Sequence, residues 1–312
     1  MKQKNHKEKN SGTAAVAANS VAGDGGSRKL VITLIIISAV IAVIAAAVFI
    51  GEETNLFWKL RDRFDRKSVE LVTVSPKTEK KELEELLERG NTVYDESLML
   101  INSSNRIADG FSPDVSEYND SGVIMNNAIK DAYRTRADHV KEMYGNRRYV
   151  MSAYRTAEEQ EEAVKTEGDK AAKPGESEHQ AGLALDVYIS QYAGGGFIDS
   201  DVGKYVNSHC DRYGFIIRYP YWGSKVTGFA YEPWHIRYVG YPHAGIIMSN
   251  MITLEEYIEM LEPGVFYSFG DYIISRQKND DLRVPSEYES LVISPDNTGY
   301  LILTALVNTA DK

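Results

Sequence analysis

The chain has 312 residues, 43% of them hydrophobic and 26% charged, which is an ordinary balance for a protein that buries a core in one or two domains. The formal net charge is −10, and because residues 1–29 carry +4, the rest of the chain carries −14, which argues against nucleic acid or an anionic lipid surface as a partner of the main body. Cys210 is the only cysteine, so an internal disulfide and a cysteine-based zinc site are excluded.

One stretch near the N-terminus is long and apolar enough to cross a membrane. Residues 30–50 (LVITLIIISAVIAVIAAAVFI) contain no charge, Pro or Gly, and an α-helix needs about 20 such residues to span the hydrocarbon layer. The apolar region of a cleaved signal peptide is shorter, about 7 to 15 residues, and starts nearer the N-terminus. The sequence therefore predicts an uncleaved, single-pass signal anchor.

The segments on either side of this anchor differ in composition. Residues 1–29 are rich in Ala, Gly, Ser, Asn and Lys, with six basic and two acidic residues, and are predicted to be a disordered tail. Residues 51–95 are dense in charge, with apolar residues at helical spacing, which predicts a partly helical stalk. Basic residues occur on both sides of the anchor, so charge alone leaves its orientation open.

A folded domain is predicted over residues 96–262. Its elements, in order, are a strand at 98–102, a helix at 122–144, strands at 149–154 and 183–189, a helix at 201–213, and an antiparallel meander of strands at 215–219, 229–232 and 235–239. Thr156 and Glu159 form a capping box that starts a further helix directly after Arg155. Arg155 therefore lies at the end of a strand, where side chains often face a cleft.

Two short motifs in this domain are typical of a zinc hydrolase. His179 is predicted on a loop and Asp186 in the following strand, folded towards each other by Gly182, while Glu232 and His235 come later in the chain. Side chains three apart on a regular strand face opposite sides, so we expect a bulge or an edge position at the intervening proline to turn both inwards. Two imidazoles and a carboxylate can hold zinc and leave one position for water, whose proton a free carboxylate can accept.

The last part of the chain is predicted to be a small β appendage. It covers residues 263–312, with strand-like runs at 272–274, 291–293 and 300–303, and it follows a helix that Thr253 and Glu256 cap. The fold class is therefore α+β, with a small antiparallel sheet and flanking helices around a zinc site. The sequence leaves the role of the appendage and the oligomeric state open.

Four segments of the chain resemble the VanY-type D-alanyl-D-alanine carboxypeptidases, in the right order. The segments are SAYR at 152–155 with Gln160, PGESEHQAGLALD at 174–186, GFIIRYP at 214–220 and YEPWHIRYVG at 231–240. The resemblance covers about residues 98–261, roughly half of the chain. It implies an α+β zinc peptidase, a peptidoglycan stem peptide ending in a D-amino acid as substrate, and a catalytic domain outside the cytoplasmic membrane with a cytoplasmic N-terminus.

The resemblance also implies roles for individual residues. His179, Asp186 and His235 are the expected Zn²⁺ ligands. Glu232 is the expected general base, and Arg155 is expected to stabilise the oxyanion that develops on the scissile carbonyl. Residues expected to bind the substrate's terminal residue or to form the pocket wall are Ser177, Gln160 and Trp234.

Each expectation has an alternative. Arg155 can form a surface ion pair with Glu158 or Glu159, and Ser177 can be an ordinary turn residue. For the whole chain, an L,D-carboxypeptidase acting on tetrapeptide stems fits almost as well as a D,D-carboxypeptidase, and a catalytically silent protein that binds or senses peptidoglycan belongs to a different class. The sequence does not decide between D-Ala and D-lactate ends, nor does it show a link to glycopeptide resistance.

Overall fold

A computed structural model describes residues 25–145, 148–168 and 171–307. Most of the predicted disordered tail, residues 1–24, therefore lies outside the described residues. The chain divides into two compact units, Met1–Leu56 and Phe57–Lys312. In the first unit, helix α1 (Gly25–Glu53) contains an apolar stretch, Lys29–Glu52, that is long enough to cross a membrane and has its large side chains exposed. This matches the predicted anchor in position and length.

The remaining chain is a mixed arrangement of helices and small sheets, as the predicted α+β class requires. The helices are α2 (Leu56–Asp65), α3 (Leu83–Leu87), α4 (Lys130–Tyr144), α5 (Ala157–Glu167), α6 (Asp201–His209), α7 (Ser224–Thr227), α8 (His243–Asn250) and α9 (Leu254–Met260). The strands are β1 (Val72–Val74), β2 (Thr78–Lys81), β3 (Thr92–Tyr94), β4 (Val115–Glu117), β5 (Ile124–Asn126), β6 (Arg148–Ser152), β7 (Ala184–Ile189), β8 (Phe215–Ile217), β9 (His235–Tyr238), β10 (Phe266–Phe269), β11 (Tyr272–Gln277), β12 (Leu282–Pro285), β13 (Ser290–Pro295) and β14 (Leu301–Leu306).

A small antiparallel sheet with the strand order β6-β7-β9-β8 forms the centre of the middle region. Its apolar side chains share one core with side chains from α4, α6, α8 and α9. The capping boxes predicted at Thr156 and Thr253 are both confirmed, with each hydroxyl accepting from the backbone N–H three residues on and each glutamate returning the bond. We call the β6-β7-β9-β8 sheet the middle sheet.

A second, larger sheet has the order β1-β10-β11-β14-β13-β3, and β2 pairs separately with β12. We call the larger sheet the C-terminal sheet. Alternate residues of its strands enter two different cores: Ile274 and Ile302 join the core of the middle region, whereas Ile273 and Leu303 join a second cluster on the other face. Residues 263–307 are therefore packed against the middle region through one face of this sheet.

The structure differs from the predicted stalk at residues 51–95. Part of this segment is helical, as predicted, but β1, β2 and β3 pair with C-terminal strands, β3 running parallel to β13. Strands of three or four residues are too short to show a period of two, and their partners lie about 200 residues further along the chain. The pairing therefore leaves no local signal in the sequence.

Three other predicted elements also differ. Residues 98–101 are buried but are not a strand, because their backbone bonds to the end of β13: the N–H of Leu98 donates to Ser294 Oγ and that of Leu100 to the Asp296 carbonyl. The helix predicted from residue 122 begins at Lys130, since residues 124–126 form β5. The second predicted strand of the meander, at 229–232, is irregular backbone that leads into the turn before β9.

Candidate metal centre

Two of the predicted zinc ligands lie opposite each other on neighbouring strands of the middle sheet. Asp186 of β7 and His235 of β9 are direct cross-strand partners, so their side chains leave the same face of the sheet. His235 Nδ1 lies 3.2 Å from Asp186 Oδ1. The strand register alone therefore brings together two residues that are 49 positions apart in the sequence.

The third predicted ligand reaches the same point from a tight turn before β7. His179 lies in a 3₁₀ turn (Glu178–Ala181) that ends at Gly182, which has a left-handed φ of 66°. A Cβ at Gly182 would lie 2.8 Å from Val115 Cγ1, so only glycine fits there. The His179 Nδ1–H donates to the Ala153 carbonyl at 2.7 Å, which turns Nε2 towards Asp186.

The three side chains have the donor set and the spacing of a metal site. One ligand atom from each of His179, Asp186 and His235 lies within 4.8 Å of the others, and all three residues are buried. His179 Nε2 is 3.3 Å from Asp186 Oδ2, and the rings of the two histidines are 5.0 Å apart. Asp186 Oδ1 is buried and, although His235 Nδ1 lies 3.2 Å away, it makes no hydrogen bond of suitable geometry among the described residues. A cation bound between these atoms would satisfy it, so the residues fit a Zn²⁺ ion.

Glu232 reaches the site from the turn that precedes β9. Its backbone N–H donates to the Tyr219 carbonyl, and its own carbonyl accepts from the N–H of His235. This turn replaces the bulge or edge strand that the sequence predicted, and Pro233 fits it because the turn needs no N–H at that position. The outcome for the side chains is the expected one, since Glu232 Oε2 lies 3.7 Å from His235 Nδ1.

The remaining predicted site residues line the same cleft as the candidate metal centre: Arg155, Gln160, Ser177 and Trp234. Arg155 is held at the cleft by its backbone N–H, which donates to the His179 carbonyl, and its Nε is buried without a hydrogen-bond partner in the described part of the chain. Gln160 donates to the Ala172 carbonyl at 2.6 Å, while its Oε1 has no partner in the same residues. Both side chains thus keep polar atoms available in the cleft.

Glu178 adjoins the candidate metal centre and is not among the site residues predicted from the sequence. Its side chain is fully buried, and its Oε1 accepts from Arg218 Nε and Arg237 Nη1, each at 2.7 Å. Its other oxygen, Oε2, lies 3.6 Å from His235 Nε2. The carboxylate therefore lies behind His235 of the candidate metal centre and is itself held by two buried arginines. The available signal in the sequence was the position of Arg218 directly after the apolar strand β8 and of Arg237 within β9, because a buried arginine requires a buried partner.

The electrostatics of the cleft favour a bound cation. Burial lowers the pKa of His179, which keeps its ring neutral and able to coordinate. Burial also lowers the pKa of His235, but the Asp186 and Glu178 carboxylates outweigh this effect and raise it to about 9. For Asp186, burial raises the pKa, yet the two histidines beside it hold the pKa well below its usual range. Negative charge is thus concentrated where a metal ion would lie.

The chain matches known proteins in the region that contains this site. The model of the family described as VanY, D-alanyl-D-alanine carboxypeptidase, matches residues 123–241. These residues form a VanY-family domain. Every residue of the candidate metal centre and of the cleft around it lies within the matched range, so the family match and the geometry concern the same part of the molecule.

Two curated relatives show how much of the chain is similar in sequence to known proteins. The putative carboxypeptidase YodJ of Bacillus subtilis is 40% identical over 146 residues, which are 42% of this chain and 52% of that protein. A D-alanyl-D-alanine carboxypeptidase of Enterococcus faecium is 33% identical over 197 residues, 59% of this chain and 62% of that protein. The chain thus spans between half and two thirds of the lengths of these relatives.

One similar solved structure is that of the vancomycin resistance D,D-dipeptidase VanXYg in complex with a D-Ala-D-Ala phosphinate analogue. It aligns over 74% of this chain and 99% of its own length, with a TM-score of 0.59 and 24% sequence identity. At this identity the likeness shows a shared fold. The alignment extends well beyond the 119 residues of the VanY-family domain into other parts of the chain.

Proposed function

We propose that the protein is a membrane-anchored zinc D,D-carboxypeptidase that removes the C-terminal D-Ala from peptidoglycan stem pentapeptides. The observation that carries the proposal is the convergence of two histidines and one aspartate within 4.8 Å of one another, inside a VanY-family domain. The curated relative from Enterococcus faecium is named a D-alanyl-D-alanine carboxypeptidase, which supports this substrate class.

His179, Asp186 and His235 would hold the zinc ion. When bound, zinc supplies Lewis acidity, which polarises the scissile carbonyl and lowers the pKa of water to about 7. The Ala153 carbonyl fixes the orientation of the His179 ring by accepting from its Nδ1–H, and the Glu178 carboxylate faces His235 Nε2 at 3.6 Å. These outer contacts set which ring nitrogen faces the ion.

Glu232 would act as the general base and then as the general acid. Its carboxylate is partly exposed to the cleft and adjoins the ligand His235, so it can accept a proton from the attacking water and deliver it to the departing amine of D-Ala. Arg155 lies on the same cleft with a buried Nε that has no hydrogen-bond partner among the described residues, and its guanidinium would stabilise the negative charge that develops on the carbonyl oxygen.

The rest of the cleft would bind the terminal residue of the substrate. Ser177 and Gln160 are almost fully buried and present a hydroxyl and an amide oxygen, which can hydrogen-bond the terminal residue. Trp234 closes one side of the cleft. The space available there is about 80 Å³, which suits a small residue such as alanine.

We place the catalytic domain outside the cytoplasmic membrane, since peptidoglycan lies there and α1 contains a candidate membrane span. The proposed organisation is a cytoplasmic tail at residues 1–29, the anchor at 30–50 and the zinc carboxypeptidase domain at about 96–262. The predicted stalk and the predicted appendage both contribute strands to the C-terminal sheet, at residues 72–94 and 266–306.

The test is the product profile of the purified full-length chain. Zinc-loaded protein is incubated with defined stem peptides that end in D-Ala-D-Ala, in D-Ala-D-lactate or in a tetrapeptide, and the products are identified by mass. Release of one D-Ala from the pentapeptide supports the proposal. Cleavage of the tetrapeptide alone would identify an L,D-carboxypeptidase. Binding of every peptide without turnover would identify a peptidoglycan-binding or sensor protein.

A further inference from the structure

Helix α2 presents an apolar face that no described part of the second unit covers. The side chains of Phe57, Leu60 and Phe64 are 53%, 44% and 82% exposed. Their spacing of i, i+3 and i+7 places them along one face of the helix. Two exposed phenylalanines and a leucine in one stripe indicate a surface that is covered in the working protein.

The opposite face of α2 is fixed to the catalytic unit. Asp62 is buried and accepts from Arg66 Nε at 2.9 Å and from the Ser208 hydroxyl at 2.8 Å. Arg66 also donates to the carbonyls of Asn207 and Met248. The orientation of the helix is therefore determined by buried polar contacts, and the apolar stripe points away from the domain because of them.

The position of α2 in the chain identifies what covers the stripe. The candidate membrane span ends at Glu52, and Phe57 follows five residues later, so a fully extended connection would reach no further than about 18 Å. The headgroup layer on each side of the hydrocarbon core is about 5 to 8 Å thick. If α1 spans a bilayer, α2 must lie at or near its surface.

The charges around the stripe fit the same partner. Arg61, Arg63 and Lys67 are exposed beside it, and Asp65 is the exposed acidic residue of the helix, 3.3 Å from Arg61. This local positive charge contrasts with the net charge of −14 for residues 30–312. Basic residues that flank an apolar helical face are the pattern of a helix lying in a membrane interface.

We propose that α2 is an interfacial helix, with Phe57, Leu60 and Phe64 inserted among the lipids and the flanking basic side chains at anionic headgroups. The contacts of Asp62 and Arg66 then hold the catalytic domain in one orientation to the bilayer. The inference rests on the membrane anchoring proposed above. It adds a second membrane contact, on the catalytic side, to the transmembrane one.

The test uses the full-length chain reconstituted in vesicles of zwitterionic and anionic phospholipid. Single cysteines replace Phe57, Leu60 or Phe64 and are labelled with an environment-sensitive fluorophore, and lipids with a nitroxide near the headgroup serve as quenchers. The native Cys210 is buried and so stays unlabelled. The matched control is Val93→Cys, which is 56% exposed in β3, at the edge of the C-terminal sheet furthest from β1.

We expect nitroxide lipids to quench the label at the three α2 positions at least about twofold more strongly than the label at Val93. An interfacial helix buries its apolar face about 5 to 10 Å deep, which brings the label to the quencher. Equal quenching at all four positions, in protein that floats with the vesicles, would overturn it and leave the anchor intact. A blue-shifted label that lipids do not quench would show a covering protein surface, such as a second copy, and would also overturn it. Protein that does not float with vesicles would overturn the anchor itself.

Discussion

The middle sheet and the C-terminal sheet bury different kinds of side chain. Asp186, His235 and Arg237 lie on strands of the middle sheet and are buried, as is Glu178 on the turn beside it. The strands of the C-terminal sheet bury mainly aliphatic side chains, and the fully buried members of the cluster on its outer face are all aliphatic. Buried charge is costly unless it is paired, so a region that retains it does so for a reason other than stability.

This difference predicts that the two sheets respond differently to mutation. Substitutions in the cleft of the middle sheet should change activity or metal affinity, whereas substitutions in the outer cluster of the C-terminal sheet should change stability alone. A few residues should affect both metal affinity and stability, because they contact a predicted metal ligand and also compensate buried charge. Glu178 is the clearest of these, since it contacts His235 on one side and two arginines on the other.

The largest effect is expected for Glu232→Gln. The amide cannot accept the proton of the attacking water, so kcat should fall by about 100- to 10,000-fold. Metal content and thermal stability should stay close to wild type, because Glu232 is partly exposed and is not one of the three ligands. Steady-state kinetics on a pentapeptide stem measure the change. Glu262→Gln, at an exposed position, is the matched control, and equal activity of the two variants would remove Glu232 from the mechanism.

Glu178→Gln should lower both stability and zinc affinity. It leaves Arg218 and Arg237 buried with less compensation, which is expected to cost about 3 to 5 kcal/mol of unfolding free energy. It also weakens the contact behind His235, which should reduce zinc affinity by about 10- to 100-fold. Denaturant unfolding of the zinc-free protein and a zinc titration measure the two effects separately.

Glu255→Gln separates the two roles of this network. Glu255 binds Arg218 through two hydrogen bonds of 2.6 and 2.9 Å, and its described contacts do not include His235. This variant should lose stability but keep the zinc affinity of the wild type. If both variants lowered zinc affinity equally, Glu178 would have a structural role only.

In the outer cluster of the C-terminal sheet, Ile293→Ala should act on stability without touching the chemistry. Ile293 is fully buried there, and removal of such a side chain costs about 2 to 5 kcal/mol. Its neighbour Val292 faces the other way and is only partly buried, so Val292→Ala should cost less. Denaturant unfolding measures both. A loss of kcat in folded Ile293→Ala protein would show that the C-terminal sheet contributes to the active site.

A smaller effect is expected from His243, where α8 meets the C-terminal sheet. Its ring is buried between the Tyr257 hydroxyl at 2.6 Å and the Thr304 hydroxyl at 2.9 Å, and burial lowers its pKa to about 3. The unfolded chain has a histidine pKa of about 6.5, so it takes up a proton that the folded protein does not. Stability from the neutral ring is therefore complete above about pH 6.5 and is lost as the pH falls towards 3.

The variant His243→Gln isolates this contribution. The difference in unfolding free energy between wild type and variant should shrink by about 2 kcal/mol when the pH is lowered from about 7 to about 5. Denaturant unfolding at the two pH values gives the difference. A constant difference would show that His243 is already protonated, or accessible to solvent, in the folded protein.

The sequence predicted the site better than it predicted the fold around it. The motifs place His179, Asp186, Glu232 and His235 in one cleft because strand pairing and one glycine turn are enough to join them. The sequence did not predict the buried position of Glu178 behind His235. A glutamate beside a metal motif resembles an ordinary loop residue, and its two arginine partners are known only from the structure.

The C-terminal sheet shows why the rest of the fold could not be predicted. Its strand β3 depends on a parallel partner about 200 residues away, and β1 pairs with β10 across a similar separation. Local patterns report the period of a segment and not its partner. The runs of β11, β13 and β14 were visible because each has six residues, whereas β1 and β3 have three each.

A zinc titration of the chelator-stripped protein tests the central claim most directly. The full-length wild type should bind one Zn²⁺ ion per chain, and Asp186→Ala should lose most of that affinity because it removes the carboxylate that lies between His179 and His235. Carboxypeptidase activity should return in proportion to the bound metal. Undiminished turnover after complete removal of the metal, or unchanged zinc binding by Asp186→Ala, would contradict the account.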